Sequence, residues 1–125
     1  AVQRDMMSVE VLGSDVVAKM DGVRMFYCET TYDKQYPHTV YRRLRQICME
    51  TDIIFLDPPF HLDLLAPVIG TLARHALKPH TQIYIETASD EALPALPANW
   101  QIDKEKKAGQ VVYRLISVVE EAPLA

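Results

Sequence analysis

The sequence predicts an α/β domain with a largely parallel sheet, and three observations carry that prediction. Helical and extended patterns alternate along most of the 125 residues. The run Asp52-Ile53-Ile54-Phe55-Leu56 is the short apolar signature of a buried strand. Two final extended stretches flank a charged connection, which adds an antiparallel hairpin at the end. With no internal repeat or low-complexity tract, residues 1–125 read as one domain.

The elements follow in order. Val2, Met6, Val9, Leu12, Val16 and Met20 are three or four apart, so 2–20 reads as a helix, weakened by Gly13. Asp21-Gly22 ends it, with Gly22 suited to a left-handed C-terminal position. Val23–Cys28 is a strand, and Glu29–Tyr36 is polar and irregular. Pro37 opens a second helix whose apolar face is Val40, Tyr41, Leu44, Ile47 and Cys48. Asp52–Leu56 is the buried strand. Leu65, Val68, Ile69, Leu72, Ala73 and Ala76 mark a helix over 64–77, with Pro67 in its first turn and Lys78-Pro79 as its stop. Gln82–Glu86 is a strand and 87–99 a loop. Trp100–Asp103 and Gln110–Val119 are strands flanking the connection Lys104–Gly109.

Composition narrows the function. Half the residues are hydrophobic (49%), enough for a modest core. Acidic residues outnumber basic ones 17 to 13, a net charge of -4. A protein that coats nucleic acid needs a dense Lys/Arg surface, so that class is excluded, although a local basic patch is not. Cys28 and Cys48 have neither C-x-x-C spacing nor clustered histidines. They read as reduced, buried thiols of a cytoplasmic protein, and no metal site is expected. No stretch approaches the roughly eighteen apolar residues of a membrane span.

The stretch with chemistry in it is Asp57-Pro58-Pro59-Phe60, at the carboxyl end of the buried strand. Ligands of open α/β sheets bind at such ends. A carboxylate there accepts a hydrogen bond from an exocyclic amine. Pro58 and Pro59 lack N–H groups but keep their carbonyls, so the turn is stiff and rich in acceptors. Phe60 offers a ring on which a base stacks, worth roughly 1–3 kcal/mol. The bland alternative is a helix-capping Asp, a proline turn and a core Phe.

This motif resembles the Asp/Asn-Pro-Pro-Tyr/Phe signature of S-adenosylmethionine-dependent amino methyltransferases. The run Ile53–Phe60, then Ile83-Tyr84-Ile85-Glu86, Leu96-Pro97-Ala98-Asn99-Trp100 and Glu105–Leu115, is more narrowly similar to the small-subunit ribosomal RNA guanine-N2 methyltransferase family, the RsmD type. The resemblance covers the carboxyl-terminal half of the chain. It implies a Rossmann-like methyltransferase sheet with a reversed final strand, S-adenosylmethionine as donor, and ribosomal RNA or the small ribosomal subunit as partner. Carried over, Asp57 and the Pro58 carbonyl hold the target amine while Pro59 and Phe60 receive the extruded base. Glu29 sits where the family contacts the donor adenine, and Asp57 also faces the donor. Lys104, Lys106, Lys107 and Arg114 either meet RNA phosphates or form an exposed hairpin face.

In the family the donor is held by an amino-terminal strand with a glycine-rich loop. Gly13, Gly22, Gly70 and Gly109 are too far apart to form one. The expectation is therefore a partial domain lacking the amino-terminal strands, the central one included. Two readings follow. One is a guanine-N2 methyltransferase, either truncated here or completed by a second chain. The other is a noncatalytic remnant or partner-dependent α/β module whose half-sheet leaves a central strand edge open to pairing. A remote third is an amino methyltransferase for DNA adenine or protein glutamine, which share the motif.

Overall fold

A computed structural model describes residues 8–12, 15–28, 45–57, 65–73 and 77–120. Its strands are β1 (Ser8–Leu12), β2 (Asp15–Met20), β3 (Val23–Cys28), β4 (Ile53–Leu56), β5 (Gln82–Ala88), β6 (Trp100–Ala108) and β7 (Val111–Val118). Residues 45–50 form helix α1 and Leu65–Ala73 form α2. Among the described residues the strands make one sheet in the order β1-β2-β3-β4-β5-β7-β6.

The parallel character is confined to the centre. β3 pairs with β4 and β4 with β5 in parallel, whereas the other four pairings are antiparallel. The Rossmann-like arrangement with a reversed last strand is present, but the sheet is mixed rather than mostly parallel. Nor is a central edge open: β4 is flanked by β3 and β5.

Within the predicted helix over 2–20, the described residues are instead the antiparallel strands β1 and β2. Val9, Val11, Val16 and Val17 are β-branched and suit a pleated surface better than a helix turn. Asp21 and Gly22 both have positive φ, 52° and 80°, so this pair is the two-residue turn joining antiparallel β2 and β3. Asp-Gly between apolar runs suits a hairpin turn as well as a helix stop, and the β-branched flanks favour the hairpin.

A second difference lies at the other end. Lys104–Ala108 belong to β6 rather than to a connection, and Gly109 (φ 62°) with Gln110 makes the turn. β6 is an edge strand, exposed at every residue after Trp100. An edge tolerates alternating charges that a central strand would not. β5 runs to Ala88, two residues beyond its predicted end. Pro37, Val40, Tyr41, Leu44 and residues 74–76 lie outside the described residues.

The core lies on one face of the sheet. Phe26, Cys28, Ile54, Leu56, Ile83, Ile85 and Ile116 are fully buried there. Leu65, Val68, Ile69 and Leu72 of α2 and Ile47 and Cys48 of α1 cover them, at the spacing of helix stripes. Burial pushes the Cys48 thiol up to about 12, so it stays protonated and inert. At the amino end of β4, the Asp52 carboxylate accepts from the Lys78 ammonium and from the Arg24 amide (2.8 Å). Buried Thr51 and Thr81 donate to the Arg24 and Lys78 carbonyls. No described helix is long and apolar enough to cross a membrane.

Candidate active site at the carboxyl end of β4

Asp57 follows directly after β4. Its amide donates to the Cys28 carbonyl (3.0 Å), which extends the parallel ladder by one residue. The backbone is thereby fixed at the carboxyl edge of the sheet. The Tyr27 hydroxyl donates to Asp57 Oδ2 at 2.7 Å and orients the carboxylate from the neighbouring strand. A carboxylate has about four acceptor positions, so one tyrosine leaves capacity for a substrate N–H.

Register shows which other side chains share this face. Tyr27, Phe55, Tyr84 and Leu115 are directly opposite one another across β3, β4, β5 and β7. The Phe55 and Tyr84 ring centroids are 6.1 Å apart, and Tyr84 stacks with Tyr113 at 6.2 Å. Leu56 opposes Ile85, so Asp57 and Glu86 come one step later on neighbouring strands, about 5 Å apart along the backbone. The Tyr84 hydroxyl donates to Glu86 Oε1 at 2.8 Å. Each carboxylate is therefore held by a tyrosine. Burial first, then the bond to Glu86 and the nearby charges of Glu86, Tyr113 and Asp57, push the Tyr84 phenol up to about 12.

Tyr27, Tyr84, Glu86 and Tyr113 were not singled out from the sequence as site residues. Alternation in Ile83-Tyr84-Ile85-Glu86 separates two faces, but only register shows that Tyr84 and Glu86 face the same way as Asp57.

The hairpin cations divide differently from the expectation. Arg114 is 8% exposed; its Nε donates to Glu105 Oε2 (2.6 Å) and its Nη1 to the Thr87 hydroxyl (3.0 Å). It pairs in register with Ile85, on the helix-covered face, and Lys107 lies on that side of β6 with Glu105. Neither shares the face of Asp57. Lys104 and Lys106, opposite Leu115 and Tyr113, do. Glu29, Pro58, Pro59 and Phe60 lie outside the described residues.

The donor loop can be tested against the glycines. Gly22 and Gly109 occupy hairpin turns and Gly70 lies within α2. None sits at a strand-to-helix turn, where backbone N–H groups would cradle a nucleoside. The described residues do not fit the donor.

Comparison with known proteins identifies the family. Residues 2–117 match the family described as Conserved hypothetical protein 95. Ribosomal RNA small subunit methyltransferase D of Escherichia coli is 45% identical over 65 residues, which are 51% of this chain and 33% of that protein. Its counterpart in Haemophilus influenzae is 48% identical over the same length, again 33% of that protein. The match thus spans about a third of the length of these curated relatives. A solved E. coli structure described as a candidate methyltransferase aligns at a TM-score of 0.52 with 40% identity, covering 57% of this chain and 40% of that one. A crystal structure of a candidate methylase from H. influenzae aligns at 0.50 with 33% identity, covering 67% and 69%. With the family pattern matched from β1 through β7, the chain belongs to the Conserved hypothetical protein 95 family, among relatives named as small-subunit ribosomal RNA methyltransferases.

Proposed function

We propose that this chain supplies the amine-holding part of an S-adenosylmethionine-dependent methyltransferase acting on the exocyclic N2 of a guanine in 16S ribosomal RNA. The observation that carries the reading is the Asp57 carboxylate, held by Tyr27 at the carboxyl end of a buried central strand. It stands in a chain whose relatives are named ribosomal RNA small subunit methyltransferase D. A cytoplasmic setting follows from that substrate.

In this reading Asp57 accepts one N–H of the guanine amine and the Pro58 carbonyl accepts the other. Together they would orient the nitrogen lone pair towards a methyl donor held by another part of the protein. Pro59 and Phe60 receive the extruded base, whose removal from a stack costs a few kcal/mol. Orientation contributes much of the acceleration in such a displacement. Asp57 need not be a strong base, because a nitrogen that had accepted a methyl group would be acidic enough to pass its proton to the carboxylate or to solvent. Of the cations, Lys104 and Lys106 share the face of Asp57 and suit RNA phosphates, whereas Lys107 lies on the opposite face with Glu105. Arg114 positions β7 through Glu105 and Thr87.

No glycine in the described residues stands where the donor loop belongs, so the donor is bound by a part that these residues do not provide. That observation favours a second reading, a partner-dependent module that orients a base without catalysing on its own. Glu29 is the residue nearest to a donor role. Calorimetric titration separates the possibilities: the 125-residue chain alone is expected to bind S-adenosylmethionine weakly or not at all. A micromolar dissociation constant would overturn the division of labour. In a form that does carry the donor site, Asp57→Ala is expected to abolish methyl transfer to small-subunit RNA, and equal activity of the variant would remove Asp57 from the mechanism.

A further inference from the structure

Three carboxylates among the described residues are committed to cations: Asp52 to Lys78, Glu50 to Arg24 and Glu105 to Arg114. Asp57 and Glu86 are held differently, each by a tyrosine hydroxyl. Tyr27 donates to Asp57 Oδ2 and Tyr84 to Glu86 Oε1. A neutral hydroxyl fixes the orientation of a carboxylate and takes only one of its four or so acceptor positions. Both groups are half-buried.

Strand register sets the two side by side. Leu56 opposes Ile85 in the parallel β4–β5 pair. One step on, Asp57 and Glu86 therefore point to the same face from backbones about 4.8 Å apart. The charges of both act on the Tyr84 phenol, so the two carboxylates converge on one ring. On its other side Glu86 opposes Tyr113, which stacks on Tyr84. Glu86 thus stands between Asp57 and an aromatic pair.

A guanine edge needs an acceptor in that place. Its 2-amine adjoins N1–H, so donors stand on neighbouring atoms of the Watson–Crick edge, the edge on which extruded bases are read. In the reading given above, Asp57 and the Pro58 carbonyl take the two amine hydrogens. The N1–H is then a donor removed from water, and leaving it unpaired is costly. An adenine edge differs at this very atom, because its N1 carries a lone pair. A carboxylate facing N1 attracts guanine and repels adenine, which is specificity by repulsion as well as attraction.

We propose that Glu86 accepts the N1–H of the guanine whose 2-amine Asp57 holds, and so determines the choice of base. Tyr84 is its positioning residue: by occupying Oε1 it leaves Oε2 to face the base. The inference rests on the Asp57 reading above and extends it from amine recognition to base identity.

The test uses the 125-residue chain and fluorescence anisotropy with a short oligouridylate carrying one central purine. The purine is guanine, hypoxanthine (N1–H but no 2-amine) or 2-aminopurine (2-amine but no N1–H). Guanine is expected to bind at least tenfold more tightly than either analogue. Glu86→Gln presents an amide N–H in place of Oε2, so it removes or reverses the preference over 2-aminopurine and keeps the preference over hypoxanthine. Asp57→Ala does the converse. Tyr84→Phe lowers the preference over 2-aminopurine at least threefold, and it decides the matter if Glu86→Gln loses its circular dichroism. The assignment of Glu86 is overturned, with Asp57 intact, if guanine and 2-aminopurine bind equally and both better than hypoxanthine. It is overturned too if the preference over 2-aminopurine survives in the variants. Equal binding of guanine and hypoxanthine, or no binding of any oligonucleotide, overturns the Asp57 reading and this inference with it.

Discussion

Tyr84 is the residue in which the site's electrostatics are most visible. Its phenol lies between burial and two carboxylates and is pushed up to about 12. In the unfolded chain it ionises near 10. Between those values the unfolded state holds fewer protons, so stability falls as pH rises from about 10 towards 12. Absorbance titration at 295 nm is expected to show one tyrosine ionising late, and Glu86→Gln brings it down. The same substitution leaves Asp57 with its own tyrosine, so loss of base binding in Glu86→Gln would mark Glu86 as a second acceptor for the guanine edge. Arg114 tests a different point. Arg114→Met leaves the Thr87 hydroxyl buried without its partner and is expected to cost about 1–3 kcal/mol in urea unfolding. Lys106→Ala is expected to leave stability unchanged and to weaken RNA binding with a shallower salt dependence.

Among the elements, α2 and β4 were legible because their patterns are strong and local. Leu65, Val68, Ile69 and Leu72 are spaced as a helix stripe and are all buried. The amino-terminal hairpin was not, because Val9, Leu12, Val16 and Met20 fit a helical spacing as well as a strand. The deciding feature was the turn, in which Asp21 and Gly22 both require positive φ. Gly22→Ala is therefore expected to destabilise the domain by more than about 1 kcal/mol by thermal melting, although nothing lies near the added methyl group. The charges of Lys104–Ala108 suit a loop and an edge strand equally well, so only the pairing with β7 distinguishes them. The ion pair anchoring the start of β4 also has a pH signature. Chiefly the Lys78 ammonium, and then the Arg24 amide, hold the Asp52 carboxyl below the usual carboxylate range. Its contribution is present above pH ~4 and lost as pH falls through the lower folded value. Both groups are over a third exposed, so Asp52→Asn is expected to cost less than about 1 kcal/mol.

For the whole molecule, the sequence revealed the α/β class, the reversed hairpin and the Asp57 corner, all of which are read from contiguous residues. It could not reveal that Tyr27 holds Asp57 or that Glu86 stands beside it, since those contacts join residues about thirty apart through strand register. The division of the cations between two faces depends on the same register. The sheet was expected to be incomplete at a central edge, yet β4 is flanked on both sides by β3 and β5.

The two tight turns, Asp21-Gly22 and Gly109-Gln110, have a consequence for the order in which the molecule assembles. Hairpins close in microseconds because their strands are neighbours in sequence. The pairings of β4 with β3 and β5 join residues 28 and 29 apart and require longer loops to close, which slows them. The periphery of the sheet thus has a kinetic head start over its middle. Asp57 meets Tyr27 only once that middle has formed, so the contact between them is a late event and a marker of completed folding.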